Sequence, residues 1–291
     1  MEKVMTLPVA GTRDILNTET YKSGKIKIRK LDKGRIWTRV LIITLLAVTC
    51  YAFITMDVGR MVLSEAIPRF FINLQRIFLQ PRLQASTQWS SLFSGMIITV
   101  GLTVLSTILG AIISFFFALL AARNLSHKRV SQAVRTITSF IRAIPAILWV
   151  LIFSLAMGLG PEAAVVGLVF QGIAFLTKAY SETIEEIDYG IIEALKASGA
   201  TWWQIVFQAI LPSCLTALLS WTFIRLESNF GHALAVGAAA GAGGIGFQLV
   251  LSGNMQMNMH EVGVIIYMII AVSLVFELIS MKLRSRLLVK S

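Results

Sequence analysis

Long apolar runs separated by short polar or glycine-rich punctuation dominate this chain. In order they predict six helical spans, at roughly 36–56, 95–122, 144–159, 163–179, 206–226 and 262–281. A helix needs about 20 apolar residues to cross roughly 30 Å of hydrocarbon, and most of these runs are close to that length. The third and fourth are short and are broken by Gly, Pro or polar residues, including the turn Gly158-Leu159-Gly160-Pro161 and Gln171. Such helices pack inside a bundle rather than face lipid. Two stretches have the mixed pattern of helices lying at an interface. Residues 57–94 are expected at the outer face and residues 126–143, with Lys128, Arg129, Arg135 and Arg142, at the inner face.

Composition agrees with the pattern. Of 291 residues, 56% are hydrophobic and 14% charged. This excludes a soluble globular domain and makes the net charge of +11 an orientation signal rather than a mark of nucleic-acid binding. Lys and Arg gather in the tail over 1–35, in the 123–142 segment and after the last span. They are missing from the 160–163 turn and from 227–261, while Arg60, Arg69, Arg76 and Arg82 in the longer 57–94 segment run against the trend. Six spans with both termini in the cytoplasm satisfy this distribution. The polar N-terminus is expected to be a cytoplasmic tail rather than a cleaved signal peptide. Cys50 and Cys214 both lie in apolar runs, too far apart to read as a metal or redox motif.

Catalytic motifs are lacking. No phosphate-binding loop with its lysine occurs, and the run Ala238-Ala239-Ala240-Gly241-Ala242-Gly243-Gly244-Ile245-Gly246 has no lysine to reach a phosphate. His127, His232 and His260 are isolated. The chain is therefore expected to hydrolyse nothing itself.

Two stretches carry information beyond the spans. The first is 182–212, opened by Glu182, Glu185, Glu186 and Asp188. Within it Glu193-Ala194, Gly199 and Leu211-Pro212 stand at fixed spacing, small residues (Ala194, Ala197, Ser198, Ala200) let a short helix approach another surface, and Gly199 can turn the chain through a left-handed conformation. Pro212 removes a helical hydrogen bond where the next membrane helix is expected to start. This order resembles the cytoplasmic coupling loop of ABC-importer permeases. Leu195 departs from it at the third alanine, and Ala209 stands where isoleucine is expected, with Ile210 one place later.

The second stretch is Arg225 to Gly246. Arg225 and Glu227 are expected at the outer end of the fifth span, where Arg225 either snorkels or pairs with Glu227, or serves a solute. The small residues that follow permit close backbone approach, and helix N-termini there could offer amides to an anion. The order Arg225, Glu227-Ser228-Asn229, Val236-Gly237 and Gly241-Ala242-Gly243-Gly244-Ile245-Gly246 is similar to permeases of phosphonate ABC importers. The resemblance covers roughly residues 95–285.

That resemblance implies an all-α membrane protein of about six transmembrane helices with the small ABC-importer permease fold (type I, MetI-like). Charge and hydropathy set off a basic cytoplasmic tail (1–35), a first helix and external loop (36–94) and a short cytoplasmic tail (286–291) around the core domain (95–285) that the resemblance covers, and no motif matches the tail or the 57–94 loop. The resemblance also implies a second permease chain as pore partner, two cytoplasmic ATPase subunits and a periplasmic or lipid-anchored binding protein, in a bacterial inner membrane. No cofactor is implied for this chain, since ATP and magnesium belong to the partner ATPase. Glu193, Ala194, Gly199, Leu211 and Pro212 would couple to the ATPase. Arg225, Glu227, Ser228, Asn229, His232, Gly243 and Gly244 would line the translocation pathway. The cargo implied is a phosphonate, phosphate or phosphite. Methionine or another small solute is the alternative, and a membrane-embedded structural or signalling partner is the alternative of another class.

Overall fold

The computed structural model describes residues 33–55, 63–85 and 87–288. The expected basic tail therefore lies outside the described residues up to residue 32. Among the described residues the chain is helical throughout: α1 (Lys33–Thr55), α2 (Leu63–Leu79), α3 (Trp89–Ala121), α4 (Lys128–Ala143), α5 (Ala146–Met157), α6 (Pro161–Glu185), α7 (Tyr189–Ala197), α8 (Trp202–Ile205), α9 (Leu211–Ala240), α10 (Gly244–Val250) and α11 (Met259–Leu288). Five stretches are long and apolar enough to cross a membrane: Ile36–Thr55, Trp89–Ala121, Pro161–Glu185, Trp202–Ala240 and Met259–Leu283. A sixth is the broken pair α4 and α5, bent by 89° at Ile144-Pro145.

The chain divides into two units, one ending at Glu65 and one beginning at Ala66. The first holds α1, an apolar helix exposed along its described length. The second is a bundle in which α3, α6 and α9 form the centre.

One face of α3 carries Thr99, Thr103, Thr107 and Ser114 at helical spacing, all buried. Each hydroxyl donates to the carbonyl four residues earlier, at 3.1, 2.8, 2.7 and 2.5 Å respectively, so small polar side chains are satisfied without water. Small residues also allow α5 onto α6, where a Cβ on Gly167 would run into Val150. α10 lies just as close to α9, with Gly246 against the carbonyl of Leu234. At one end of the bundle a second cluster forms under α7 and α8, from Leu119, Ile184, Ile192, Ile205 and Ile210.

Several expected boundaries move. The second span begins at Trp89 rather than 95, and the fourth continues to Glu185, so the acidic start of the coupling stretch is helical. The expected helix over 126–143 is α4, and α2 is a helix with Pro68 inside it. The largest difference is at the fifth span. It does not end at Leu226 but runs from Trp202 to Ala240, so the segment read as an outer loop from Glu227 is helix. Gly231 and Gly237 do not stop it, because inside a bundle every backbone N–H must find a carbonyl and the helix supplies one. Arg225 and Glu227 thus sit within a long helix, not at its outer end. Nor does this helix start at Pro212. It passes through one widened turn over Val206–Ile210, where the Leu211 N–H reaches back five residues to Val206 O. Such a turn accommodates the proline without breaking the helix.

Candidate functional site

The coupling stretch is a short helix built at both ends by local hydrogen bonds. Asp188 caps α7 by accepting from the Gly190 amide at 2.9 Å. At the other end the Gly199 amide donates to Lys196 O and the Ala200 amide to Leu195 O, both at 3.0 Å. Gly199 stands at φ +81°, the left-handed residue that this paired closure requires. Two residues on, Thr201 and Gln204 cap α8 reciprocally, with the Thr201 amide donating to Gln204 Oε1 at 2.7 Å and the Gln204 amide to Thr201 Oγ1 at 3.4 Å. The chain therefore makes a rigid helix-turn-helix foot.

One side of that foot is anchored. Ile192 is wholly buried beside Ile184 and Ile205. Trp202 Nε1 donates to Leu125 O at 3.3 Å, tying the foot to the α3–α4 connection. The other side, with Glu193, Ala194, Lys196 and Gly199, is exposed. Next to it Glu185 closes the bundle end, accepting from the Arg123 amide at 2.6 Å and from Arg135 Nη2 at 2.5 Å.

The second arrangement lies deep in the bundle. Arg225, Asn229 and His232 share the inward face of α9. Arg225 is 2% exposed; its Nη2 donates to Gln171 Oε1 on α6 and its guanidinium carbon lies 5.5 Å from the centre of the Phe175 ring. Gly172 leaves room for the guanidinium, since a Cβ there would stand 3.7 Å from its Nε and Nη2. Asn229 donates to Thr107 Oγ1 at 2.9 Å and Ser106 Oγ at 3.3 Å. Arg225 Nε, Asn229 Oδ1 and His232 Nδ1 are buried without hydrogen-bond partners. A cation held by a neutral amide and a ring, next to unfilled hydrogen-bonding atoms, is an uncommon arrangement at membrane depth.

Residues 114–286, which include the foot, Gln171 and Arg225, match the family model described as "Binding-protein-dependent transport system inner membrane component". The chain belongs to this family. Among curated relatives, the phosphate-import permease protein PhnE of Mycolicibacterium smegmatis is 33% identical over 197 residues, covering 67% of this chain and 37% of that protein. The phosphite transport system permease protein PtxC of Stutzerimonas stutzeri is 31% identical over 191 residues, covering 65% of this chain and 68% of that one. Among solved structures, an inward-facing form of the MetNI methionine ABC transporter aligns with TM-score 0.63 at 24% identity, over 70% of this chain and 99% of that one. The chain has the type I importer permease fold, as a multi-pass membrane protein.

Within that fold the expected site residues separate into three groups. Glu193, Ala194 and Gly199 stand together on the exposed side of the foot, while Leu211 and Pro212 lie after the widened turn that joins it to the span. Arg225, Asn229 and His232 come together inside, whereas Glu227 and Ser228 are exposed on the same helix. Gly243 and Gly244, at φ +74° and +77°, belong to the tight turn between α9 and α10. The amide that follows them, on Ile245, donates to Thr99 Oγ1 at 3.0 Å and is taken. Arg225 neither snorkels nor reaches solvent. Its partners Gln171 and Phe175 are not among the site residues expected from the sequence, and neither is Glu185. A lone glutamine in an apolar run was the available signal for Gln171, but nothing in the sequence paired it with a residue 54 positions away.

Proposed function

We propose that the chain is the transmembrane subunit of an ATP-driven importer for phosphorus oxyanions, namely phosphonate, phosphate or phosphite. Two copies form the pathway, two ATPase subunits dock on α7 from the cytoplasm, and a periplasmic or lipid-anchored binding protein delivers the cargo. ATP and magnesium act in the ATPase subunits, and this chain catalyses no reaction.

The observation that carries this reading is the foot. Ile192 fixes α7 to the bundle while Glu193 and Ala194 on the same helix, and Gly199 in the turn that closes it, are exposed. A rigid, anchored helix with a small-residue surface transmits force in a way that a flexible loop cannot. Closure of the ATPases would push the foot, and the continuous helix from Trp202 to Ala240 would carry that movement into the bundle past Arg225. The oxyanion cargo is supported by the names of the two bacterial relatives and by the buried cation, whose described contacts are neutral. Leu211 and Pro212 join foot to span. Glu227, Ser228, Asn229, His232, Gly243 and Gly244 are carried as pathway residues together with Arg225.

Reconstitution in proteoliposomes with the ATPase and binding protein tests the reading. Methylphosphonate, phosphite or phosphate should stimulate ATP hydrolysis and enter the vesicle, and methionine should do neither. Stimulation by methionine alone would transfer the cargo to the alternative, and no co-purification with an ATPase would remove the transport function.

A further inference from the structure

The amphipathic helix α4 and the last turns of α6 enclose a small polar cavity of about 250 Å³ at the α7 end of the bundle. Arg135, Arg142 and Lys178 line it, and no carboxylate does. Two of these cations are already matched from outside the lining: Arg135 by Glu185 at 2.5 Å and Lys178 by Glu182 at 3.6 Å. Arg142 forms no hydrogen bond or ion pair through its guanidinium among the described residues. The remaining positive charge in the cavity is therefore its own.

A second observation is independent of charge. Thr177 lines the same cavity, is 1% exposed, and its Oγ1 has no hydrogen-bond partner. The hydroxyls of α3 close back onto their own helix, as does Thr183 two turns further along α6, donating to Ala179 O at 3.0 Å. The Thr177 hydroxyl lacks this bond, and a buried hydroxyl without a partner is costly unless something else accepts its proton. The Ser139 hydroxyl adds one more donor to the lining, whereas that of Ser181 already donates to Lys178 O at 3.0 Å.

We infer that this cavity is a binding site for a phosphoryl-type oxyanion, held by the fork of Arg142 and the donated hydrogen of Thr177. Arginine suits such a ligand because its parallel N–H groups match two oxygens at once. With liquid water at about 30 Å³ per molecule, the space takes a tetrahedral oxyanion with part of its hydration shell. A wider basic basin of about 980 Å³, lined by Arg123, Lys128 and the shared Arg135 and Ser139, opens beside it. The site is separate from Arg225 and lies where cargo would leave the bundle. It rests on the proposed oxyanion cargo for that role, but the anion chemistry stands on the cavity itself. The same chemistry is offered by a free phosphate and by the headgroup of an anionic lipid.

The test measures binding of radiolabelled inorganic phosphate to the full chain in nanodiscs, without nucleotide or binding protein. In phosphatidylcholine nanodiscs the wild type should bind saturably. Arg142→Gln should weaken binding at least tenfold, Thr177→Val several-fold, and Thr177→Ser should restore it. Arg129→Gln, which removes an exposed cation of the same helix outside the cavity, should bind as wild type. Nanodiscs containing phosphatidylglycerol identify the source: unchanged phosphate binding assigns the site to the free anion, and competition that Arg142→Gln abolishes assigns it to the headgroup. Wild-type binding by both Arg142→Gln and Thr177→Val, or an equal loss in Arg129→Gln, overturns the site. Wild-type uptake measured in parallel keeps the two readings apart, because oxyanion import with no Arg142-dependent binding rejects this site and leaves the importer standing.

Discussion

Arg225 on α9 donates to the side-chain amide oxygen of Gln171 on α6, so this polar link between the two central helices is a charge held by a neutral group. A carboxylate at Gln171 would neutralise the cation permanently. An amide orients it and leaves its charge available to an anion. Gln171→Leu should therefore cost about 1–3 kcal/mol of stability by stranding a buried donor. Gln171→Glu should keep stability but abolish oxyanion uptake, since an internal carboxylate competes for the guanidinium. Thermal unfolding in detergent read beside ATP-dependent uptake separates the two effects, and unchanged uptake by Gln171→Glu would rule out an electrostatic role for Arg225.

Gly199 closes the foot at φ +81°. A side chain there is strained by about 1–2 kcal/mol even though no neighbour stands within 4 Å of its Cβ position. Gly199→Val should leave the bundle inserted but reduce ATPase co-purification and uptake by an order of magnitude or more. Glu193→Lys, which reverses an exposed charge without backbone strain, should give the same uncoupling with unaltered thermal stability.

Glu185 gathers the Arg123 amide and the Arg135 guanidinium at the bundle end that carries the foot. Glu185→Gln keeps the shape and removes the charge. A loss of about 1–2 kcal/mol is expected, because a charge-assisted hydrogen bond becomes a neutral one. Faster hydrogen exchange confined to the α3–α4 connection and α7 would report the loosened clamp.

Two glycines should respond oppositely to the same change. Gly246→Ala would drive a methyl group into the carbonyl of Leu234, so a loss of about 1–3 kcal/mol is expected. Gly101→Ala meets nothing within 4 Å and should gain about 0.5–1 kcal/mol from helix propensity. Unfolding midpoints of the two variants check the pair, and equal responses would show that the α9–α10 contact is looser than its geometry.

Hydropathy alone determined that this chain is a bundle of membrane-length helices, because burial in lipid demands long apolar runs whatever their packing. The spacing of Glu193, Gly199 and Pro212 determined the foot for a related reason: capping, left-handed closure and the proline are local constraints, decided within a few residues. Tertiary structure alone decided what lies between those local rules. It carried the fifth helix past Glu227 to Ala240, since a backbone inside a bundle has no water to turn to and small residues there serve packing as well as turning. It also brought Gln171 to Arg225, Glu185 to Arg135 and Arg142 to Thr177. Which of several polar side chains meet across a bundle depends on the rotation and crossing of whole helices, and no single segment of the chain contains that information.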